Sequence, residues 1–454
     1  MELTRDDAVR ASVSRDASGL ELIPEYVARP ANAGEVSEVI AEAAGLGTFV
    51  TAAGSQTSMT GASITDSGVL LSMMAMNAIL DLDEKRRIAR VQPAVTIGDL
   101  NRAIAETGLH FAPDPTSEND ATIGGAIACN ASGARSLRHG ATRRHVHGVT
   151  VIGADGVPRS RSRSGLEKDT VGFAAAQDPV DWYVGSEGTL GVIVEAELNL
   201  LPLPRHLIGL AIPFPDDPSA LSFVIAARES PSHAPHCLEY FDREALTIAG
   251  KASARPWSEE CGAMVYIEDD AELAGLDAVL DAWLALAERH QAHAGDIRAF
   301  DTPQALRDAR VFRHAVPATM NERGAVWRRD GGRKVSTDWS VPFRLLPEAL
   351  DASRRASEKH GAPLPVTYGH AGNGHPHQNY IAPNADALAA VNAAIAETLD
   401  TVFTMGGTFS AEHGVGKLKK AWLHRQLSPE QVAVMKAMKD TLDPRGMFGP
   451  GNVL

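Results

Sequence analysis

The stretch "APDPTSENDATIGGAIACNASGARSLRHGATRRHVHG", residues 112–148, decides how this chain is interpreted. It consists largely of Gly, Ala, Ser, Thr and Asn, and it contains little that predicts an amphipathic helix. Loops without secondary structure longer than roughly 12–15 residues are uncommon inside compact domains and are usually functional. We therefore expect this stretch to line a ligand.

Two further loops of small residues flank it, "AAGSQTSMTGAS" at 52–63 and "GSEGTLG" at 185–191. Small side chains let backbone N–H groups approach phosphate oxygens closely. The first loop matches neither the phosphate loop of nucleotide hydrolases nor the Rossmann turn, and alone it is equally well explained as a surface loop. Three such loops in one half of the chain predict a long ligand, such as a dinucleotide, whose pyrophosphate contacts the backbone.

Hydrophobic spacing on either side predicts an α+β fold with more than one domain. Helical spacing occurs near 35–46, 218–229, 270–292, 386–404 and 428–442, and strands are predicted at 192–200, 207–212 and 263–268. The Pro-marked connector "LPLPR" at 201–205 is a candidate boundary. Beyond it we expect an antiparallel sheet with helices covering one side.

Composition excludes several classes of protein. The net charge of −14 argues against nucleic acid as a partner, because phosphate binding needs clustered cations. Three cysteines without a CxxC spacing argue against a disulfide framework. No secretory signal and no apolar run approaching 18 residues is visible, so we expect a cytoplasmic protein without a membrane span. A homodimer is compatible with the sequence, which leaves the oligomeric state open.

A second kind of motif carries the chemistry. "YGHAGNGHPHQNY" at 368–380 holds His370, His375 and His377, and the last two fall on one face of an extended strand. "FSAEHGVGKLKK" at 409–420 adds Glu412 beside His413. Two imidazoles and one carboxylate suit zinc with an open position for substrate. The alternative, in which Glu412 pairs with a lysine of the following helix, is equally favoured by the residues alone.

The order of these motifs resembles a known family. "VARPANAGEVSEVI", the three small-residue loops, and the ending "DPRGMFGPGNVL" are together similar to the vanillyl-alcohol oxidase superfamily. The closest resemblance is to its branch of flavin-dependent D-2-hydroxyacid dehydrogenases, and it covers almost the whole chain. It implies a PCMH-type FAD-binding domain at 1–204, an α+β substrate (cap) domain at 205–405, and a helical C-terminal segment at 406–454 that returns to the first domain.

The resemblance also implies a set of FAD contacts. The first loop has no histidine to which the flavin could be attached, so non-covalent FAD is expected. One departure is Gly449, where the family usually has Asn. The implied FAD-binding residues are Ala53, Gly54, Ser55, Gln56, Thr57, Ser58, Thr60, Gly61, Pro115, Thr116, Ser117, Thr122, Gly124, Gly125, Asn130, Ser132, Gly133, Gly188, Ile193 and Asn452.

At the second site the resemblance implies His370, His377 and Glu412 as ligands of a divalent metal, with zinc expected and manganese or iron as alternatives. His413 would be the catalytic base. Arg313 would hold the substrate carboxylate, with Lys334 as a weaker candidate because its alignment slips by a residue or two. Two residues depart from the family pattern, Asn373 for Asp and His375 for Asn, and we assign both to substrate contacts. His375 could equally extend the metal coordination.

The implied reaction is oxidation of a D-2-hydroxy acid to the 2-oxo acid, with hydride passing to the flavin. Electrons would leave to a quinone, a cytochrome or an electron-transfer flavoprotein. Two alternatives stay open at this point. One is non-redox FAD chemistry of the alkylglycerone-phosphate synthase type, and the other is an FAD subunit that acts only inside a larger electron-transfer complex. The sequence does not identify the side chain of the hydroxy acid.

Overall fold

A computed structural model describes residues 3–173, 176–253, 256–271 and 275–454. The chain forms two compact units. The first unit comprises Met1–Gly133, His139–Leu203 and Glu412–Leu454, and the second comprises Ala134–Arg138 and Pro204–Ala411. The domain limits at 204/205 and 405/406 remain predictions.

Helices and strands alternate along most of the chain. The helices are α1 (Asp7–Ser12), α2 (Ala33–Leu46), α3 (Ile97–Ile104), α4 (Ile123–Cys129), α5 (Ser136–His139), α6 (Asp217–Glu229), α7 (Arg243–Lys251), α8 (Leu276–Arg289), α9 (Pro303–Ala325), α10 (Leu346–Lys359), α11 (Ala385–Thr404), α12 (Lys420–Gln426) and α13 (Pro429–Leu442). The strands are β1 (Tyr26–Ala28), β2 (Val50–Ala53), β3 (Val69–Ser72), β4 (Ile79–Asp83), β5 (Ile88–Val91), β6 (Leu109–His110), β7 (Val146–Ile152), β8 (Pro158–Ser162), β9 (Val192–Asn199), β10 (Leu201–Pro202), β11 (Leu207–Phe214), β12 (Cys237–Phe241), β13 (Ala263–Asp270), β14 (Arg298–Phe300), β15 (Gly331–Ser336), β16 (Val366–His370) and β17 (His375–Asn384). The mixture confirms the predicted α+β class.

The first unit contains two main sheets. Strands β1, β3 and β2 form a parallel sheet in that order, and β4, β5, β9, β7 and β8 form an antiparallel one. The C-terminal segment joins the parallel sheet, because Val50 forms a parallel bridge with Phe448. Phe448 is fully buried among Val36, Ile40 and Val69, so this core is built from distant parts of the chain.

Local signals explain most helix boundaries in the first unit. Helix α2 begins where the Asn32 side chain accepts the Glu35 N–H and ends at Gly47, which adopts the left-handed conformation. This matches the helix predicted near 35–46. Helix α4 corrects the prediction for 112–148, which has a seven-residue helix where none was expected. Thr122 caps that helix and Asn130 ends it in the left-handed region, two signals that outweigh its weak amphipathic pattern.

The second unit is built on one antiparallel sheet with the strand order β14-β11-β13-β12-β16-β17-β15. The antiparallel sheet agrees with the prediction. The prediction that helices cover only one side of this sheet is wrong. Met264 and Tyr266 of β13 pack in one core with Phe312 of α9. Tyr380 of β17 packs with Val391 of α11 in a separate core. Seven of the eight residues of β13 are buried, as expected for a strand covered on both faces.

The helix predicted at 270–292 is shorter in the structure, where α8 runs from Leu276 to Arg289. Leu273, part of its predicted apolar face, lies outside the described residues. Among the helices that the structure describes, none combines the length and hydropathy needed to cross a lipid bilayer.

Candidate active site

The first small-residue loop borders a cleft in the first unit. The cleft has a volume of about 340 Å³ and is lined by Ser12, Val13, Arg29, Gly54, Ser55, Gln56, Ser72, Met74 and Ala75. The Ser55 hydroxyl is buried and makes no hydrogen bond within the described residues. A buried hydroxyl without a partner, next to an exposed arginine, suits the oxygens of a phosphate. Three of the predicted FAD contacts, Gly54 to Gln56, therefore line a cleft that fits part of such a cofactor.

The second small-residue loop meets the first at Thr122. A Cβ on Gly54 would collide with the Thr122 hydroxyl, so only glycine permits this approach. The Thr122 hydroxyl also accepts the Gly125 N–H at 3.3 Å at the start of α4. Further along, Pro115 accepts the Glu118 N–H at 2.9 Å in a turn that contains Thr116 and Ser117. The predicted contacts at 115–125 thus lie on one turn and one short helix.

Glu187 of the third loop forms hydrogen bonds both to the end of α4 and to the loop that follows His413. Its N–H donates to the Ala128 carbonyl at 2.8 Å, which joins it to the end of α4. Its buried carboxylate accepts the N–H groups of Val415 and Gly416, both at 2.6 Å. Burial raises the pKa of the Glu187 carboxyl, and these two N–H groups and nearby lysines oppose that shift. The loop that follows His413 is therefore fixed by a carboxylate that sequence reasoning missed.

Asn452 is fixed in the same region. Its side-chain oxygen accepts a hydrogen bond from Lys417 Nζ at 2.6 Å, and its amide nitrogen donates to the carbonyl of Ala62 at 2.8 Å. Lys417 Nζ also donates to the Gly61 carbonyl at 3.2 Å. Burial lowers the pKa of Lys417 to about 8, although nearby carboxylates oppose the shift. Lys417 thus links the first small-residue loop to the C-terminal segment.

Three further residues that were predicted to contact FAD have different surroundings in the first unit. Asn130 accepts the Arg143 N–H at 2.9 Å through its side chain. Ile193 belongs to the apolar core of the antiparallel sheet, which leaves its backbone as the available contact. Beside Gly188, at a φ of +71°, an added Cβ would meet nothing within 4 Å. The third loop therefore has open space beside Gly188.

Glu412 and His413 lie side by side in the first unit. Glu412 Oε2 accepts a hydrogen bond from the Ser132 hydroxyl at 3.1 Å, and its other oxygen lies 3.6 Å from His413 Nε2. The His413 carbonyl accepts from the Thr60 hydroxyl at 3.4 Å. Two residues predicted to contact FAD, Thr60 and Ser132, therefore also position the acid–histidine pair.

In the second unit, strand register brings three imidazoles together. His370 is the cross-strand partner of His375, and His377 is the partner of Tyr368. Residues that pair directly or diagonally across antiparallel strands present side chains on one face. The possible ligand atoms of the three histidines all lie within 4.8 Å of one another, and the Nε2 atoms of His370 and His377 are 3.4 Å apart.

Two carboxylates lie next to histidines of this cluster. His370 Nδ1 lies 2.7 Å from Glu239 Oε1, and its Nε2 lies 3.4 Å from Nε2 of His377. A carboxylate on one ring nitrogen is the usual way in which a metal-binding histidine is oriented. Burial alone would raise the pKa of the Glu239 carboxyl, but His370 and Arg313 together lower it. His375 Nε2 lies 3.1 Å from Asp338 Oδ1. This nitrogen is buried and makes no hydrogen bond within the described residues, because the carboxylate lies off its N–H direction. A buried imidazole nitrogen without a hydrogen bond, beside two others, fits a metal ion.

The residues predicted to hold the substrate are spread over the second unit. Arg313 of α9 is buried between Glu239 and Glu268, at 3.5 Å from each. Its Nε makes no hydrogen bond in the part of the chain that the structure describes. Lys334 lies opposite Ile381 on the sheet, and its Nζ donates to Asn321 of α9 at 2.6 Å. Asn373 is exposed in the turn between β16 and β17.

Sequence reasoning missed Glu239, Asp338 and Glu187, which position the motifs. Glu239 had a signal, because it is an acidic residue inside the apolar run "CLEYF", where an unpaired charge would be costly. Asp338 and Glu187 sit among small or polar residues, and nothing local distinguishes them.

Comparison with known proteins identifies the family of this fold. A model described as the FAD binding domain matches residues 24–160. A model described as the C-terminal domain of FAD linked oxidases matches residues 203–453, more than half of the chain. The chain therefore belongs to the FAD-linked oxidase family and is an FAD-dependent oxidoreductase, as the resemblance predicted.

Curated relatives match over nearly the full length. The chain is 30% identical to "Glycolate oxidase subunit GlcD" of Bacillus subtilis, over 98% of this chain and 93% of the relative. It is 30% identical to a D-lactate dehydrogenase of Archaeoglobus fulgidus, over 94% and 91% of the two chains. It is 27% identical to a D-2-hydroxyglutarate dehydrogenase of Stutzerimonas stutzeri, over 95% and 91%.

A solved structure of alkyldihydroxyacetonephosphate synthase has the same fold. It superposes with a TM-score of 0.73 and 18% sequence identity, and the match covers 99% of this chain and 83% of that one. At this identity the similarity concerns the fold alone.

Proposed function

We propose that the chain oxidises a D-2-hydroxy acid to the 2-oxo acid, using FAD and a divalent metal ion. By their names, the relatives act on glycolate, D-lactate or D-2-hydroxyglutarate, all of which carry a hydroxyl next to a carboxylate. The observation that carries the proposal is the group of three close imidazoles, of which His375 is buried and His377 is half-buried. Neutral imidazole oriented by a carboxylate is a common metal ligand, and a hydroxy acid can bind such an ion through two oxygens.

The proposed metal ligands are His370, His377 and Glu412. The N–H of Ala411 donates to the Asp338 carbonyl at 2.8 Å, and Glu412 is the next residue in the chain. Zinc suits this mixture of nitrogen and oxygen ligands, while manganese or iron remain alternatives. The ion would serve as a Lewis acid that lowers the pKa of the substrate hydroxyl.

His413 is the proposed base that would take the proton of the substrate hydroxyl, a role in which histidine is the commonest side chain. FAD would supply the hydride acceptor, while the protein aligns the reacting atoms. Arg313 is proposed to hold the substrate carboxylate through its fork of donors. Lys334 is a weaker candidate for the same role, and His375 and Asn373 are proposed substrate contacts. The electron acceptor is proposed to be a quinone, a cytochrome or an electron-transfer flavoprotein.

The decisive experiment is anaerobic bleaching of the flavin by a panel of D- and L-2-hydroxy acids, before and after chelation. We expect rapid bleaching by at least one D-acid, loss of bleaching when the metal is removed, and recovery when zinc is returned. Full bleaching after complete metal removal would reject the metal role. If no acid bleaches the flavin, the dehydrogenase assignment fails, and non-redox chemistry of the synthase type becomes the better explanation.

The other alternative is an FAD subunit that works only inside a larger complex. Reduction of an artificial dye by the purified chain, in the presence of the hydroxy acid, would exclude it. A chain whose flavin bleaches but which passes no electrons to any dye would support it.

A further inference from the structure

The third imidazole of the cluster, His375, departs from the family pattern, and the sequence left it open between a substrate contact and a metal ligand. We infer that His375 is itself a metal ligand, so that the second unit alone provides three imidazoles to the ion. This inference rests on the proposed metal site but concerns a residue outside the ligand set His370, His377 and Glu412. Asn at this position, which the resemblance leads us to expect, would offer a weaker amide oxygen instead.

The arrangement of the three imidazole rings favours their binding to one metal ion. The ring centroid of His375 lies 5.4 Å from that of His370 and 4.7 Å from that of His377, and the rings are inclined by 56° and 69°. The ring centroids of His370 and His377 are 5.0 Å apart, and these two rings are inclined by 78°. The rings are therefore not stacked but form a triangle. Two nitrogens bound to one tetrahedral zinc ion lie about 3.3 Å apart, close to the 3.4 Å between Nε2 of His370 and Nε2 of His377.

The backbone holds His375 in this position. Because His375 is the direct cross-strand partner of His370, it cannot leave the cluster unless the register of β16 and β17 changes. The adjacent Gly369 has a φ of +115°, and a Cβ there would lie 2.7 Å from Cδ2 of His377. Only glycine leaves room for that ring, so the sequence of the hairpin is adapted to hold imidazoles close together.

The burial of His375 favours metal coordination over a contact with the substrate carboxylate. The side chain of His375 is 5% exposed, and its Nε2 makes no hydrogen bond in the described residues. A substrate carboxylate is better held by a permanent cation, which Arg313 provides. The buried Nε2 of His375 has no hydrogen-bond partner among the described residues, and an ion shared with the two neighbouring imidazoles would provide one.

The inference has a consequence for selectivity. Three imidazoles from one unit would leave one position of a tetrahedral zinc ion for an oxygen ligand. Nitrogen ligands favour zinc over manganese, whereas carboxylate and amide oxygens favour manganese. H375N should therefore lose affinity for zinc more than for manganese.

The test uses the full-length chain with its FAD and zinc as the probe. Zinc K-edge X-ray absorption counts bound imidazoles, and competition with a chromophoric chelator gives the dissociation constant. We expect three imidazoles in the wild type and two in H375N. The zinc dissociation constant should rise by at least the roughly 10–100-fold seen when outer-shell partners of ligands are removed. The control is H206N, which removes an exposed imidazole of the same unit and should change neither value.

The outcomes separate this inference from the proposed function. Two imidazoles in the wild type would overturn the role of His375 while leaving the proposed site intact. An unchanged dissociation constant in H375N with a raised KM would make His375 a substrate contact and would also overturn it. A wild type that binds no zinc would reject both. The count in the wild type does not depend on whether H375N folds.

Discussion

Single neighbours decide what each imidazole can do. His370 has its Nδ1 held by Glu239 at 2.7 Å, and its Nε2 lies 3.4 Å from Nε2 of His377. His413 Nε2 has a looser neighbour in Glu412, at 3.6 Å, and its backbone is anchored by Thr60. A ring fixed by a close carboxylate suits a metal ligand, whereas a histidine that exchanges a proton with the substrate suits a base.

The first prediction concerns His413. H413N should lower kcat for the hydroxy acid about 10²–10⁴-fold, because the base is lost while binding groups stay in place. Flavin content and zinc affinity should be unchanged. Rates are measured with a dye acceptor, and H424N, at an exposed position of α12, is the matched control. An unchanged kcat in H413N would remove this residue from the chemistry.

At the scale of elements, the sheet of the second unit carries a buried network of charges. Glu268 of β13 accepts hydrogen bonds from Arg135 Nε at 2.8 Å and from the Tyr266 hydroxyl at 3.0 Å. Arg313 of α9 lies 3.5 Å from it. Burial alone would raise the pKa of the Glu268 carboxyl, but the two arginines outweigh it and lower that pKa to about 2. The network joins a helix, a strand and the segment 134–138.

The second prediction follows from this shift. Because the folded pKa of about 2 lies below the ordinary value of 4.5, the carboxylate's contribution to stability is complete above pH 4.5. It is lost as the pH falls through about 2. E268Q should reduce the free energy of unfolding by about 3–5 kcal/mol at pH 7, since it removes the buried negative charge that Arg135 and Arg313 share.

The measurement is urea unfolding followed by tryptophan fluorescence across pH 2 to pH 7. The difference between wild type and E268Q should shrink steadily below pH 4.5. The control is E288Q, on an exposed position of α8, which should stay within about 0.5 kcal/mol of the wild type. A difference that does not vary with pH would show that ionisation of Glu268 is not the stabilising factor.

At the scale of the whole molecule, the first unit cannot be completed without the end of the chain. Met447 accepts the Val50 N–H at 2.8 Å, and the Gly449 N–H donates to the Val50 carbonyl at 2.9 Å. Phe448 is 1% exposed in the core formed with α2 and the parallel sheet. Long-range closure of this kind delays folding until the last residues are available.

The third prediction tests this closure. F448A should reduce the free energy of unfolding of the first unit by about 3–5 kcal/mol, because a fully buried phenyl ring is replaced by a cavity. Thermal unfolding of the FAD-loaded protein, followed by flavin release, measures the effect. F49A is the control: Phe49 lies beside Val50 but is 40% exposed, so the loss should be smaller. Equal losses in both variants would argue against Phe448 as the anchor.

The sequence by itself determined the α+β class, the family, and the ends of helices such as α2, because caps and apolar spacing act within one turn of the chain. It also indicated that His375 and His377 lie on one face of a strand, because side chains alternate along an extended chain. His370 was expected near them because it lies only five positions before His375. It could not predict the short helix α4, where two caps act against a weak pattern.

Only the tertiary structure decided which groups surround those histidines. Glu239 meets His370 across 131 positions of the chain, and Glu187 meets Gly416 across 229. Such contacts depend on strand order and register, which local propensities do not specify. For the same reason helices cover both faces of the second sheet, because the burial of each face is set by packing partners that lie far away in the sequence.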